Sequence, residues 1–159
     1  MSACAAHPSQ QVQQAQRLVC TAELQHLPAL LALVGSAAHR WQVDEDVVHD
    51  LQLIAEEACV NVMHHAYPPG APGPLSLELA LRHEGLARSL VLTLQDQGRP
   101  FNPLSLAPAD TGAPVEDRVP GGLGVHLIRS LSDRQHYRHD ARDGNVFTIE
   151  KRLATASPS

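Results

Sequence analysis

Cysteine is scarce in this chain of 159 residues: Cys4, Cys20 and Cys59 are three in number and show no paired spacing. So sparse and odd a set excludes a disulfide framework and a cysteine-rich zinc site. Long apolar runs are also missing; a bilayer span needs about twenty predominantly apolar residues, and no stretch qualifies. Residues 1–16 lack the charged-then-apolar layout of a secretory signal, so the expected location is the cytoplasm, with no membrane partner. Excess positive charge is absent: a net charge of −5 leaves no basic footprint for direct nucleic-acid binding and suits a protein partner or simple solubility. Ten histidines are present, yet the closest pairs, His64-His65 and His136-x-x-His139, lack further ligands at regular spacing, so no structural zinc site is expected.

What is present suffices for one domain, since 43% apolar residues can fill a single core at this length. The Gln- and Ala-rich residues 1–16 are expected to be loose, 17–153 to form the domain, and 154–159 to fray. Residues 17–22 read as a first strand. Leu27, Leu30, Leu31, Val34, Ala37, Ala38 and Trp41 mark one face of a helix whose start suits Pro28, with Trp41 packed at its end. A second helix runs from a cap at Asp44 to the stop at Pro68-Pro69-Gly70, with Val47, Leu51, Ile54, Ala58 and Val62 at helical spacing. Leu75, Leu77, Leu79 and Leu81 alternate with polar or small residues, and Leu90, Leu92 and Leu94 do so less cleanly, which predicts a hairpin. A helix over 123–133, a strand near 135–138, a turn at 140–144 and a last strand over 145–153 complete the pattern. Residues 104–120 carry three prolines and no sustained period. They read as a surface loop or as a nucleotide lid, with Arg118 either solvated or reaching a γ-phosphate.

Three segments carry chemistry. Asp96-Gln97-Gly98-Arg99-Pro100-Phe101-Asn102-Pro103 places a carboxylate at a strand end. Gly121-Gly122-Leu123-Gly124 then opens a helix, where backbone N–H groups and the helix dipole favour phosphate oxygens. An isolated glycine cluster equally fits a tight turn. Neither Gly-Lys-Ser/Thr nor a strand–GxGxxG–helix unit with a following acid can be drawn, so a different nucleotide fold is required. Upstream, Glu57, Asn61 and His65 stack at i, i+4, i+8 along the border of the apolar stripe. Asn61 can offer its carbonyl to Mg²⁺ and Glu57 can take a proton from an attacking hydroxyl; alternatively the three bond only to one another and to loop backbone.

Together, Glu57-Ala58-x-x-Asn61-x-x-x-His65-Ala66-Tyr67, Asp96-x-Gly98-x-Pro100-Phe101-Asn102-Pro103 and Gly121-Gly122-Leu123-Gly124-x-His126-Leu127-Ile128-Arg129-x-Leu131-x-Asp133 closely resemble the three ATP-binding boxes of the anti-sigma factor serine kinases. These are small members of the GHKL ATPase superfamily, which also includes histidine kinases and gyrase. The resemblance implies a Bergerat-type α/β two-layer sandwich: one mixed, mainly antiparallel sheet covered on one face by three helices. It implies ATP and Mg²⁺ as cofactors, Glu57 as catalytic base and Asn61 as the magnesium residue. Asp96 would receive the adenine amino group, Gly98 would let backbone approach the ring, and Gly122 and Gly124 would contact phosphates. His65, Phe101, Gly121 and Leu123 join the nucleotide set, and Thr148 is the candidate for the family's adenine-side threonine, against a plain core-strand role. The implied activity is phosphorylation of a serine on an anti-sigma-factor antagonist, coupled to reversible capture of a sigma factor by a homodimer. Other expectations stay open: a non-catalytic ATP-binding module that captures a regulator, or a kinase or ATPase in another pathway. A histidine-kinase catalytic domain shares the boxes but would need a helical hairpin before residue 17.

Overall fold

The computed structural model describes residues 11–105 and 122–155. In chain order they form β1 (Gln11–Thr21), α1 (Leu27–Arg40), α2 (Glu45–His65), β2 (Pro74–Glu84), β3 (Ala87–Asp96), α3 (Gly122–Leu131), β4 (Arg134–Asp140) and β5 (Gly144–Leu153). The sheet order is β1-β2-β3-β5-β4.

The two-layer α/β sandwich with a mainly antiparallel sheet is as expected, and all four pairings among the described residues are antiparallel, with no parallel pair. The reason lies in the connections. After the α1–α2 pair the chain returns beside β1, and β2 runs antiparallel to it. The α3 crossover makes β4 run in the same sense as β3, but β5 sits between them and is antiparallel to both.

Leucine alternation supplies the floor of the core. Leu75, Leu77, Leu79, Leu90 and Leu92 are fully buried, and they meet Leu30 and Val34 of α1, Leu51, Ile54, Ala55 and Cys59 of α2, and Ile128 of α3. Residues two apart on a strand share a face, which is why one apolar row per strand is enough to seat three helices. The less regular β3 buries Val91 on the helix-free face as well, between its cross-strand partners Ala80 and Glu150.

Pro28 stands at the start of α1, and Trp41, 5% exposed, packs into the core at its end. Asp44 occupies the cap position of α2, although its side chain makes no capping bond. The first strand begins at Gln11 and not at residue 17: Gln14, Ala15 and Gln16 pair with Leu81, Ala80 and Leu79. Residues 11–16, polar and without alternation, give no strand signal by themselves; the ladder offered by β2 recruits them. Cys20 and Cys59 are free thiols, and burial pushes the Cys59 thiol up to about 12, so it is inert as a nucleophile. Cys4 lies outside the described residues, as do Arg118 and all but the start of the 104–120 loop. No helix among the described residues is long and apolar enough to cross a membrane.

Candidate functional site

The C-terminal half of α2, the ends of β3 and β5 and the turn after Asp96 enclose a cleft with ≈ 500 Å³ of empty space, part of it open to solvent. Ala58, Val62, Leu94 and Phe147 make it apolar, while Asn61, His65, Asp96 and Asn145 bring polar groups to its walls. A concave, mostly apolar cleft with a few convergent polar groups is the usual form of a small-molecule site.

Asp96 is 7% exposed, at the end of β3. Its Oδ1 accepts the Gly98 N–H at 2.9 Å and the Asn145 Nδ2–H at 2.9 Å. Among the described residues no hydrogen bond reaches Oδ2, which leaves an acceptor in the cleft for a ligand N–H. Burial pushes the carboxyl pKa up, opposed by the bonds from Asn145 and Gly98 and by nearby His139.

Asn145 was not among the residues singled out by sequence, and it organises this corner. Its amide also donates to the carbonyls of Arg99, at 3.0 Å, and Gly98, at 3.3 Å, while its Oδ1 accepts from Tyr137 Oη at 2.5 Å. Thr148, the candidate adenine-side residue weighed against a core-strand role, is not in the cleft. It lies opposite Thr93 and His136 on the other face of β5, whereas Asn145 and Phe147 share the cleft-facing parity. The available signal was the cross-strand pairing of Asn145 with Asp96, which becomes visible only once the β3–β5 register is known.

The Asp96–Arg99 turn is seated directly on the end of α2. A Cβ at Gly98 would lie 2.6 Å from the Ala66 Cβ and nearer still to the Ala66 carbonyl oxygen, so only glycine allows this approach. The Arg99 N–H donates to that same carbonyl at 3.0 Å. Tyr67 adds a staple: its hydroxyl donates to the Pro74 carbonyl at 2.5 Å and accepts the Gln97 N–H at 2.8 Å. Tyr67→Phe removes both bonds and is expected to cost about 1–2 kcal/mol of stability, measured as a lower denaturant midpoint at unchanged slope.

Glu57, Asn61 and His65 share one side of α2 as expected, and no hydrogen bond among the described residues ties them to one another. Asn61 and His65 face the cleft, together with Phe101. Glu57 sits further back along α2, where it meets the opening turn of α3: a Cβ on Gly124 would collide with Glu57 Oε2. Gly122 is the first residue of α3. Leu123 is 50% exposed and does not line the cleft, and Gly121 lies outside the described residues.

Burial, and then the charge of Glu56, push the Glu57 carboxyl pKa up. A base must be ionised, so a step that depends on Glu57 loses rate as pH falls through this raised value. The acidic limb of the kcat profile should therefore lie above the ordinary glutamate range, and Glu56→Gln should move it down. A limb unmoved by Glu56→Gln would contradict the assignment.

Around the cleft stand a buried carboxylate at a strand end, an asparagine on the facing helix and a glutamate against the opening turn of a second helix. Residues 20–151 match the sequence profile of the histidine kinase-like ATPase domain, and the chain belongs to that family. Within it, the chain groups with the anti-sigma factor kinases of the GHKL type. It is 33% identical to the serine-protein kinase RsbW of Halalkalibacterium halodurans over 124 residues, 76% of this chain and 72% of that protein. It is 28% identical to the serine-protein kinases RsbW of Bacillus mycoides and of a Bacillus cereus strain, over 75% of this chain and 74% of each.

Proposed function

We propose that this protein binds ATP in the cleft and transfers its γ-phosphoryl group to a serine of an anti-sigma-factor antagonist, while reversibly capturing a sigma factor. The observation that carries the reading is the placement of Glu57 against the opening turn of α3, with Asn61 one helical turn on and facing the Asp96 cleft. Base recognition falls to Asp96 Oδ2, with Leu94 and Phe147 against the ring. The first turn of α3 has N–H groups with no acceptor inside the helix, and these can turn to the phosphates. Asn61 would hold Mg²⁺ through its side-chain carbonyl, and the ion, when bound, neutralises charge between phosphate oxygens. The acceptor serine Oγ attacks the γ-phosphorus, its proton passes to the Glu57 carboxylate, and the bond from γ-phosphorus to the β–γ bridging oxygen breaks to release ADP.

In this reading the kinase is a cytoplasmic homodimer that acts on no nucleic acid directly. The unphosphorylated antagonist draws it from the sigma factor. The phosphorylated antagonist carries about −1.5 to −2 extra charges beside an acidic protein and lets go, so free sigma factor falls. The relatives' names support the kinase step, and the net charge of −5 suits the release. Incubation with labelled ATP and candidate antagonists, followed by mapping of the modified residue and binding assays with both antagonist forms, tests it. Labelled phosphoserine on one antagonist and weaker binding of that form are expected. Binding of a partner without transfer would reduce the protein to a non-catalytic capture module.

A further inference from the structure

Arg129 is the charged residue in the last turn of α3, the helix that Gly122 and Gly124 open. Arg129 lies five residues beyond Gly124, about 7.5 Å further along the axis of α3. Its guanidinium Nη2 donates to the Leu104 carbonyl at 2.6 Å, closing a contact between positions 25 apart. Leu104 belongs to the 3-10 turn Pro103–Ser105, which follows Phe101. Phe101 and Pro103 both line the cleft, and Pro103 is buried.

That turn is otherwise held locally. Asn102 Oδ1 accepts the Leu104 N–H at 2.9 Å, and the Asn102 carbonyl accepts the Ser105 hydroxyl at 2.7 Å. Both bonds define the shape of the turn, and neither fixes where it sits. Among the described residues the wall is fixed toward the rest of the protein by the long 3.4 Å contact from the Phe101 N–H to Asn145 Oδ1, by packing of Leu104 on the core and of the turn on β4, and by Arg129. Val125 and Ile128, 1% and 0% exposed, anchor α3 itself in the core, so Arg129 projects from a rigid element.

We infer that Arg129 is a positioning residue for the ligand: it ties the helix at the phosphate end of the cleft to the Phe101–Pro103 wall at the base end, and acts through that wall. This rests on the reading of the cleft as an ATP site. A wall bears on the base and ribose, which ATP, ADP and AMP share, whereas a direct phosphate contact weakens as phosphates are removed. The two roles are therefore separable.

The test measures ATP, ADP and AMP affinities by calorimetry for the parent, Arg129→Met and Arg129→Lys, with thermal melts to confirm cooperative folding. Arg129→Met should weaken all three ligands by a similar factor of about ten, the size of one charge-assisted hydrogen bond. Arg129→Lys, which keeps a donor of similar reach, should recover part of the loss. In turnover assays the KM for ATP should rise with kcat near the parent value. Unchanged affinities in a folded Arg129→Met protein, or a loss that shrinks from ATP to ADP to AMP, would overturn the inference. A parent protein that binds none of the three would instead overturn the nucleotide reading, and this inference with it.

Discussion

Glu57→Ala should lower phosphoryl transfer to a protein serine by about 10²–10⁴-fold, the usual contribution of a positioned general base. ATP affinity should stay within a few-fold of the parent, because a base acts in the transition state and adds little to ground-state binding. The environment of Glu57 sharpens this expectation. It is half-buried, its carboxyl is destabilised as an anion by burial and by Glu56, and it abuts the backbone at Gly124. Removing it relieves desolvation and like-charge repulsion, so the fold should not suffer. Glu57→Gln keeps the shape beside Gly124 and should be equally inactive, which separates a lost base from a lost contact. Single-turnover transfer at the parent rate by either variant would remove Glu57 from the chemistry. A parallel fall in ATP affinity would make it a binding residue.

Gly124→Val reads the same junction from the other side. A side chain there must displace the Glu57 carboxylate or tilt the first turn of α3. Transfer and nucleotide binding should then fall together, unlike the split expected for Glu57→Ala.

The parts of this fold that were legible in the sequence are those in which one periodicity dominates. The leucine rows of β2 and β3 and the stripe of α2 each repeat large apolar residues at a constant period, so spacing sets which residues meet the helices even though Ser76, Ala80 and Val91 are buried on the other face of the sheet. Asn61 and His65 could be placed beside the cleft because they border that stripe. Residues 144–149 gave no such guidance: Asn145, Val146, Phe147 and Ile149 are all buried, so neither parity stands out as the cleft side. Register, set by pairing with β3, decides between Asn145 and Thr148, and register is a tertiary property. The start of β1 was illegible for a related reason. Its glutamines are ordered by backbone bonds to β2, and edge pairing of this kind leaves little trace in side-chain pattern. The Arg129–Leu104 contact joins two elements that no local rule connects.

The base end of the cleft carries the other large expected effect. Adenine presents an amino group where guanine presents a carbonyl, and Asp96 Oδ2, which accepts no hydrogen bond among the described residues, pairs as a carboxylate oxygen only with the former. ATP should therefore be preferred over GTP by at least about tenfold, and Asp96→Ala should weaken ATP binding by a similar factor or more, since a buried site built around one hydrogen bond is sensitive to its loss. Asn145 makes the prediction specific. Its amide occupies Asp96 Oδ1 and holds the Gly98 and Arg99 carbonyls, so Asn145→Ala leaves the carboxylate short of a donor and the turn short of its clasp. That variant should weaken ATP by several-fold. The Asp96/Asn145 double variant should lose less than the sum of the two single losses, because the residues act as a unit. Thr148→Ala, on the opposite face, should bind ATP within about two-fold of the parent, near the scatter of substitutions that touch no ligand. Calorimetric titrations of ATP and GTP into the four variants decide the matter. Equal affinity of the parent for ATP and GTP would refute the role of Asp96. A larger loss in Thr148→Ala than in Asn145→Ala would return the adenine-side role to Thr148, against the register of β5.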